Sequence, residues 1–276
     1  MARQPRIQVA GGYYHVFARG NERRALYRDD NDRIAFLELV AAAAERFAWS
    51  LLAYCLMTNH YHLILRTSEA NLAAGMHWLN AVYAQRFNRR HGRVGHLFQG
   101  RYRARLIQDG DALLGAIRYV VRNPVRARLC TDPQHWPWSS QRAVLGLSPP
   151  EFVAVEELLA LFGRDRPRAR TLYRDFTHTS EEEPRPSHPL IDGDAAFTAA
   201  HLAQVIPRAA YPRRMLNPTP PALDTLLGLN PTTEQLAAAH AAGHTLTAIG
   251  AHLNRHKSTI SRRLAAADPP DATGKT

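Results

Sequence analysis

Two histidines one residue apart, in the run His60-Tyr61-His62, are the first place where this chain offers chemistry. The flanking residues are strand-forming. On a strand, successive side chains point to opposite faces, so both imidazoles project from one face, about 7 Å apart along the strand. Two nitrogen donors so placed can share a metal ion. With 14 histidines in 276 residues, such a pair also arises by chance, so its placement in the sheet carries the weight. A second pairing is Tyr119 with Asn123, four residues apart and so on one side of a helix. Arg118, Arg122 and Arg126 lie close by in the chain. A tyrosine hydroxyl is a nucleophile once something activates it.

A third feature is a deficit. From Asn71 to Gln108 the chain has no acid, while Arg86, Arg89, Arg90, Arg93, Arg101, Arg103 and Arg105 crowd one helix end, a loop and a strand. His91, His96, Phe98 and Tyr102 are interleaved with them. Cations alternating with aromatic planes suit unstacked, single-stranded or looped nucleic acid. The whole chain points the same way: Lys plus Arg is 35 against 24 for Asp plus Glu, a net charge of +11 that favours a polyanionic partner. His15 is either a neighbour of the metal or a satisfied core histidine. His240/His244 and His252/His256 have helical ligand spacing, but no thiolate or carboxylate completes either set.

These groups need elements to position them. Tyr13 to Arg19 reads as a strand ended by Gly20-Asn21. Asp30 to Phe47 carries apolar residues at helical spacing, with acids in its first turn. Ser50 to Met57 and His60 to Arg66 are strands joined at Thr58-Asn59 as a hairpin. Asn71 to Arg90 is a helix with Leu72, Met76, Leu79, Tyr83 and Phe87 down one side. Tyr102 to Gln108 is a strand, and Asp111 to Arg122 a helix that Pro124 ends. Strand-helix-strand-strand-helix-strand predicts an α+β, ferredoxin-like antiparallel sheet. The first and third strands lie in its middle, both helices cover one face, and the other face stays free for a ligand. The helix bearing Tyr119 is added to that plan. Trp136 to Ser140 folds back onto this domain.

Beyond residues 8–147, the reading is a helical extension (148–179), a polar, proline-rich linker (180–190), an irregular segment (191–230) and an all-α helix-turn-helix region (231–268). In the last, Leu246, Ile249, Leu253, Ile260 and Leu264 fall where such a helix pair needs its core. Lys257, Ser258, Thr259 and Arg262 are then offered to duplex DNA. Cys55 and Cys130 make neither a disulfide framework nor a zinc ribbon, which suggests a reducing compartment. With no signal-like or membrane-spanning run, the expectation is a cytoplasmic protein without a membrane partner.

Four ordered motifs resemble the HUH single-tyrosine transposases, in their REP-associated (RAYT) branch. They are Tyr54 to Leu63 (YCLMTNHYHL), Gly95 to Tyr102 (GHLFQGRY), Arg118 to Ala127 (RYVVRNPVRA) and Trp136 to Ser140 (WPWSS). The resemblance runs from about Gly11 to Leu147. It implies Tyr119 as nucleophile, His60 and His62 as metal ligands, Asn123 as third ligand where many relatives carry glutamine, and Mg²⁺ or Mn²⁺ as the ion. It implies cleavage and rejoining of single-stranded or hairpin DNA through a 5′-phosphotyrosine intermediate, by a monomer or homodimer. Arg89, Arg90, Arg93, Arg101 and Arg103 are the expected DNA groove. The competing reading is a DNA-binding regulator whose nuclease domain is catalytically silent. The joint presence of Tyr119, His60, His62 and Asn123 argues against decay. A third reading, an RNA-binding ferredoxin-like domain, wants exposed aromatics where the sheet carries the two histidines.

Overall fold

The computed structural model describes residues 7–149, 152–179, 188–205, 222–228, 230–241 and 244–265. They fall into two units, residues 6–186 with 190–198, and a smaller unit built mainly from 199 onward.

The larger unit is organised by a sheet of β1 (Tyr13–Arg19), β2 (Trp49–Leu56), β3 (His60–Thr67), β4 (Arg103–Ile107) and β5 (Ile191–Asp192), in the order β2-β3-β1-β4-β5. The first four pair antiparallel, with β1 and β3 central as expected. β5 pairs parallel to β4, which makes the sheet mixed. The expected irregular segment 191–230 therefore begins with a strand. It continues with α8 (Ala195–Val205), whose start is capped where Asp194 accepts from the Phe197 N–H at 2.7 Å. A two-residue strand is too short for an alternation signal, so only its partner reveals it. The expected linker at 180–187 and the centre of the expected irregular segment, 206–221, lie outside the described residues.

One face of the sheet is covered by α1 (Asp30–Arg46) and α2 (Leu72–Arg90). Asp29 caps α1 by accepting from the Asp32 N–H at 3.0 Å. Phe36 of α1 packs on Tyr61 of β3 and Tyr83 of α2, with ring centroids 4.8 and 4.9 Å apart. The α2 stripe Leu72, Met76, Leu79, Tyr83 and Phe87 is buried throughout. The polar tips are satisfied: the Tyr61 hydroxyl donates to Asn80 at 2.7 Å and that of Tyr83 to the Leu26 carbonyl at 2.6 Å.

The opposite face is not left bare. α3 (Asp111–Val121) lies across β2 and β3 there. Pro124 interrupts this helix without ending the helical path, because Arg122 keeps helical dihedrals and a short turn, α4 (Asn123–Arg126), follows at once. Proline lacks only an N–H, and in the first turn of a new helix that donor is not required. The run Trp136 to Ser140 closes on the free edge of β2. The Leu56 N–H donates to the Trp138 carbonyl at 2.8 Å, the Ser140 N–H to the Tyr54 carbonyl at 3.1 Å, and Trp136 Nε1 to the Leu56 carbonyl at 3.1 Å. Helices α5 (Gln141–Val144), α6 (Val155–Ala160) and α7 (Arg166–His178) complete this side.

In the smaller unit, α9 (Leu223–Leu226), α10 (Thr233–Ala241), α11 (Leu246–His252) and α12 (Lys257–Ala265) close around Leu227, Leu236, Ala239, Ile249 and Ile260. Leu246, Leu253 and Leu264 pack at its margin. Lys257, Ser258 and Arg262 stand exposed on α12, with Thr259 half-buried.

Candidate active site

The sheet face under α3 gathers the candidate residues. Residues paired in register across strands share a face. Phe17 of β1 is opposite His62 of β3 on one side and Arg103 of β4 on the other, and His15 is opposite Arg105. Arg19 is opposite His60 and Cys55 opposite His62. His15, Phe17, Arg19, His60, His62, Arg103 and Arg105 therefore line one surface.

Tyr119 of α3 comes down onto it. Its ring centroid lies 5.8 Å from that of His62 and 5.7 Å from that of His15, edge-on in both cases. The His60 and His62 rings are 5.1 Å apart. The structure thus joins two features 57 residues apart in sequence, the His60–His62 strand and the Tyr119 helix. Asn123 donates from Nδ2 to the Tyr119 carbonyl at 2.9 Å. That commits its nitrogen and makes Oδ1 the atom a cation would take. Arg126 lies over the Tyr119 ring at 4.6 Å, a cation–π contact on the candidate nucleophile's own side chain.

The other two arginines near Tyr119 turn elsewhere. Arg122 donates to the Thr177 and His178 carbonyls at 2.9 and 2.8 Å, and Arg118 lies 4.5 Å from the Phe176 ring. Positions 119, 123 and 126 form one stripe of the helical path, while 118 and 122 form its neighbour. The neighbour stripe holds α7, so these two arginines seat the helix.

His15, which sequence reasoning left open, contacts the pair directly: its Nε2 is 2.8 Å from His62 Nδ1. One ring donates and the other accepts, which requires at least one lone pair between them. Burial, assisted by Arg105, lowers the His15 imidazole to about 3. Burial, assisted by Arg19, lowers His60 to about 4. Burial holds His62 well below its ordinary value, with His15, His60, Arg19 and Arg105 adding to it. All three rings are therefore neutral near neutral pH, the state in which imidazole ligates a metal.

This has a consequence for stability. The unfolded chain protonates histidine near pH 6.5, roughly, whereas the folded site refuses the proton until about 4 at His60 and about 3 at His15. Their contribution is complete above the unfolded value and is lost as pH falls from there toward the folded values. We expect the urea midpoint of the metal-free protein to fall as pH drops below about 6.5. Replacing one of the three histidines should flatten that slope. An unchanged slope would assign the acid sensitivity to other groups.

The expected groove arginines separate. Arg103 shares the histidine face through its register with Phe17. Arg101 and Arg89 are exposed, and Arg93 lies 5.7 Å from the Phe87 ring. Arg90 departs from the expectation. It is gripped by Asp29 on two oxygens at 2.7 Å and also by buried Asp32, which His91 meets at 2.9 Å. Its charge is neutralised within the fold. The acids that do this are the cap and the first turn of α1, outside the acid-free run, and so were invisible in it.

Among the described residues, no three His, Cys, Asp or Glu side chains converge as a metal cage. This face offers two neutral imidazoles as donors, and the helix stripe that carries Tyr119 also carries Asn123. Imidazole donors suit a divalent ion that accepts nitrogen as well as oxygen ligands.

Residues 8–123 match the family model described as "Transposase IS200 like". A curated Haemophilus influenzae protein described as a REP-associated tyrosine transposase is 24% identical over 151 residues, covering 51% of this chain and 85% of that protein. Among solved structures, a REP-associated tyrosine transposase bound to a REP hairpin aligns with a TM-score of 0.46 and 18% identity, over 56% of this chain and 92% of that one. The tRNA(His) guanylyltransferase of Saccharomyces cerevisiae aligns with a TM-score of 0.36 and 12% identity, over 66% of this chain and 85% of that one. No described helix is long and apolar enough to cross a membrane.

Proposed function

We propose, from the match of residues 8–123 to the IS200-like transposase family model, that this chain cuts and rejoins single-stranded or hairpin DNA with Tyr119 as nucleophile. The observation that carries this is the convergence of Tyr119 with His60 and His62 on one sheet face. We read β1 to β4 with α1 and α2 as a ferredoxin-like platform whose second face is given over to chemistry.

In this reading the Tyr119 hydroxyl gives up its proton to solvent and its oxygen attacks a backbone phosphorus. The phosphorus–O3′ bond breaks, the 3′ oxygen leaves and takes up a proton, and the 5′ phosphate stays esterified to Tyr119. Because that ester retains the energy of the broken bond, a free 3′-OH can reverse the step without ATP. Arg126, already over the ring, stabilises negative charge developing beside it. His60, His62 and Asn123 Oδ1 would hold Mn²⁺ or Mg²⁺, which when bound neutralises the phosphate and orients it. The His62 tautomer that donates Nδ1–H to His15 would leave Nε2 for the ion. Arg103, Arg101, Arg89 and Arg93 supply phosphate contacts along the strand. The experiment is incubation with a single-stranded hairpin and Mn²⁺, followed by a denaturing gel. A band of protein covalently bound to DNA is expected, and its absence would favour the silent-nuclease regulator.

We read α11 and α12 as a helix-turn-helix that presents Lys257, Ser258, Thr259 and Arg262 to duplex DNA. A chain ending after Val205 should therefore cut single strands at the full-length rate while its duplex affinity falls. A chain ending at Thr179 should be less stable by about 2 kcal/mol, since β5 goes with it: buried Ile191 and the hydrogen bonds from the Leu106 and Gln108 N–H groups to the Leu190 and Asp192 carbonyls. Side-by-side melting, cleavage and duplex titration of the three chains tests this. Unchanged duplex affinity would make the helix pair a packing unit.

A further inference from the structure

The turn before His60 is held more firmly than a hairpin requires. Asn59 Nδ2 donates to the Arg23 carbonyl at 2.9 Å. Only the amide nitrogen can donate, so this bond fixes which way round the carboxamide sits. Its oxygen, Oδ1, is left 2.7 Å from Nδ1 of His60. A carboxamide oxygen only accepts. His60 Nδ1 must therefore carry the proton, and Nε2 must carry the lone pair.

The segment on the far side of Asn59 is built around the same bond. Glu22 and Arg23 both adopt left-handed backbone, with φ of 53° and 60°, a conformation that non-glycine residues enter at a cost. The Gly20 N–H donates to the Asn59 carbonyl at 2.8 Å and the Leu26 N–H to the Thr58 carbonyl at 3.0 Å. The 20–26 loop thus clamps the β2–β3 turn from both ends, and the Arg23 carbonyl faces Asn59.

We propose that Asn59 is a positioning residue, whose carboxamide, oriented by the Arg23 carbonyl, locks His60 in the Nδ1–H tautomer and presents Nε2 to the divalent ion. The proposal rests on the metal reading above and adds a residue to it. His60 is half-exposed, so without this acceptor water competes for Nδ1 and the ring is free to turn or change tautomer. An orienting partner of this kind contributes roughly 10- to 100-fold to metal affinity.

The test uses the full-length, metal-free protein labelled with ¹⁵N at histidine, with the His60 signals assigned by their loss in His60→Gln. Two-bond ¹H–¹⁵N correlation reads the tautomer directly, and Mn²⁺ affinity is then measured by paramagnetic resonance. In the wild type, His60 should be protonated at Nδ1. Asn59→Ala should give a mixture of tautomers and a Mn²⁺ dissociation constant at least ~10-fold higher. Asn59→Asp keeps an acceptor toward His60 but loses the donation to Arg23, and should retain both the tautomer and the affinity. Protonation of wild-type His60 at Nε2 would overturn the proposal. So would an Asn59→Ala protein matching the wild type in both readouts. An Asp variant failing as Ala does would assign Asn59 to bracing the loop instead. A wild type that shows the Nδ1–H tautomer yet binds no Mn²⁺ would remove the metal reading and leave the tautomer assignment standing.

Discussion

Tyr119→Phe should lose the covalent protein–DNA adduct entirely and lower strand cleavage by roughly 10⁴-fold or more, the scale seen when a nucleophile is deleted from an intact site. The substitution removes one oxygen from a half-buried ring. The ring keeps its edge contacts with His15 and His62 and its cation–π contact with Arg126. The fold and single-strand affinity should therefore match the wild type within a factor of about two, since neither depends on the hydroxyl. The measurements are a denaturing gel for the adduct, a cleavage time course, and a binding isotherm with uncleavable single-stranded DNA. Cleavage at the wild-type rate would remove Tyr119 as nucleophile. A wild type that forms no adduct but binds DNA tightly would instead place the activity in the helix pair, as a regulator.

His60→Ala should weaken Mn²⁺ binding by more than about 100-fold, beyond what loss of a mere orienting partner costs, and suppress cleavage with it. His62→Ala should do the same but is the less clean variant. It leaves buried His15 Nε2 facing a void, at a cost of about 1–3 kcal/mol for the unpaired group, so part of any loss will be structural. His60 has no such buried dependant. Its Nδ1 partner is Asn59, half-exposed and so reached by water. Calorimetric titration with Mn²⁺, beside thermal unfolding of each variant, separates the two effects. Cleavage that survives EDTA in the wild type would end the metal role for both histidines.

Local signals account for much of what was legible in the sequence. The alternation through His60-Tyr61-His62 placed both imidazoles on one face, because a strand has a period of two whatever surrounds it. The stripe from Leu72 to Phe87 and the core positions Ile249 and Ile260 followed from helical period alone. The central position of β1 and β3 came from the order of elements and the short connections between them.

What failed to show was whatever depends on a partner distant in sequence. Arg90 reads as a free cation in an acid-free run, yet Asp29 and Asp32 of another helix neutralise it. Arg118 and Arg122 sit beside Tyr119 in sequence, but helical pitch turns them to α7 and leaves Arg126 over the Tyr119 ring. β5 is two residues long and exists only because β4 offers an edge. The sequence by itself determined which residues could do chemistry and which face of their own element they occupy, since both follow from residue type and local period. Tertiary structure alone decided that Tyr119 meets His62, that His15 binds it and that Asn59 aims His60. Each of these is a contact of a few ångströms whose geometry depends on how separate elements pack, and no local period encodes that packing.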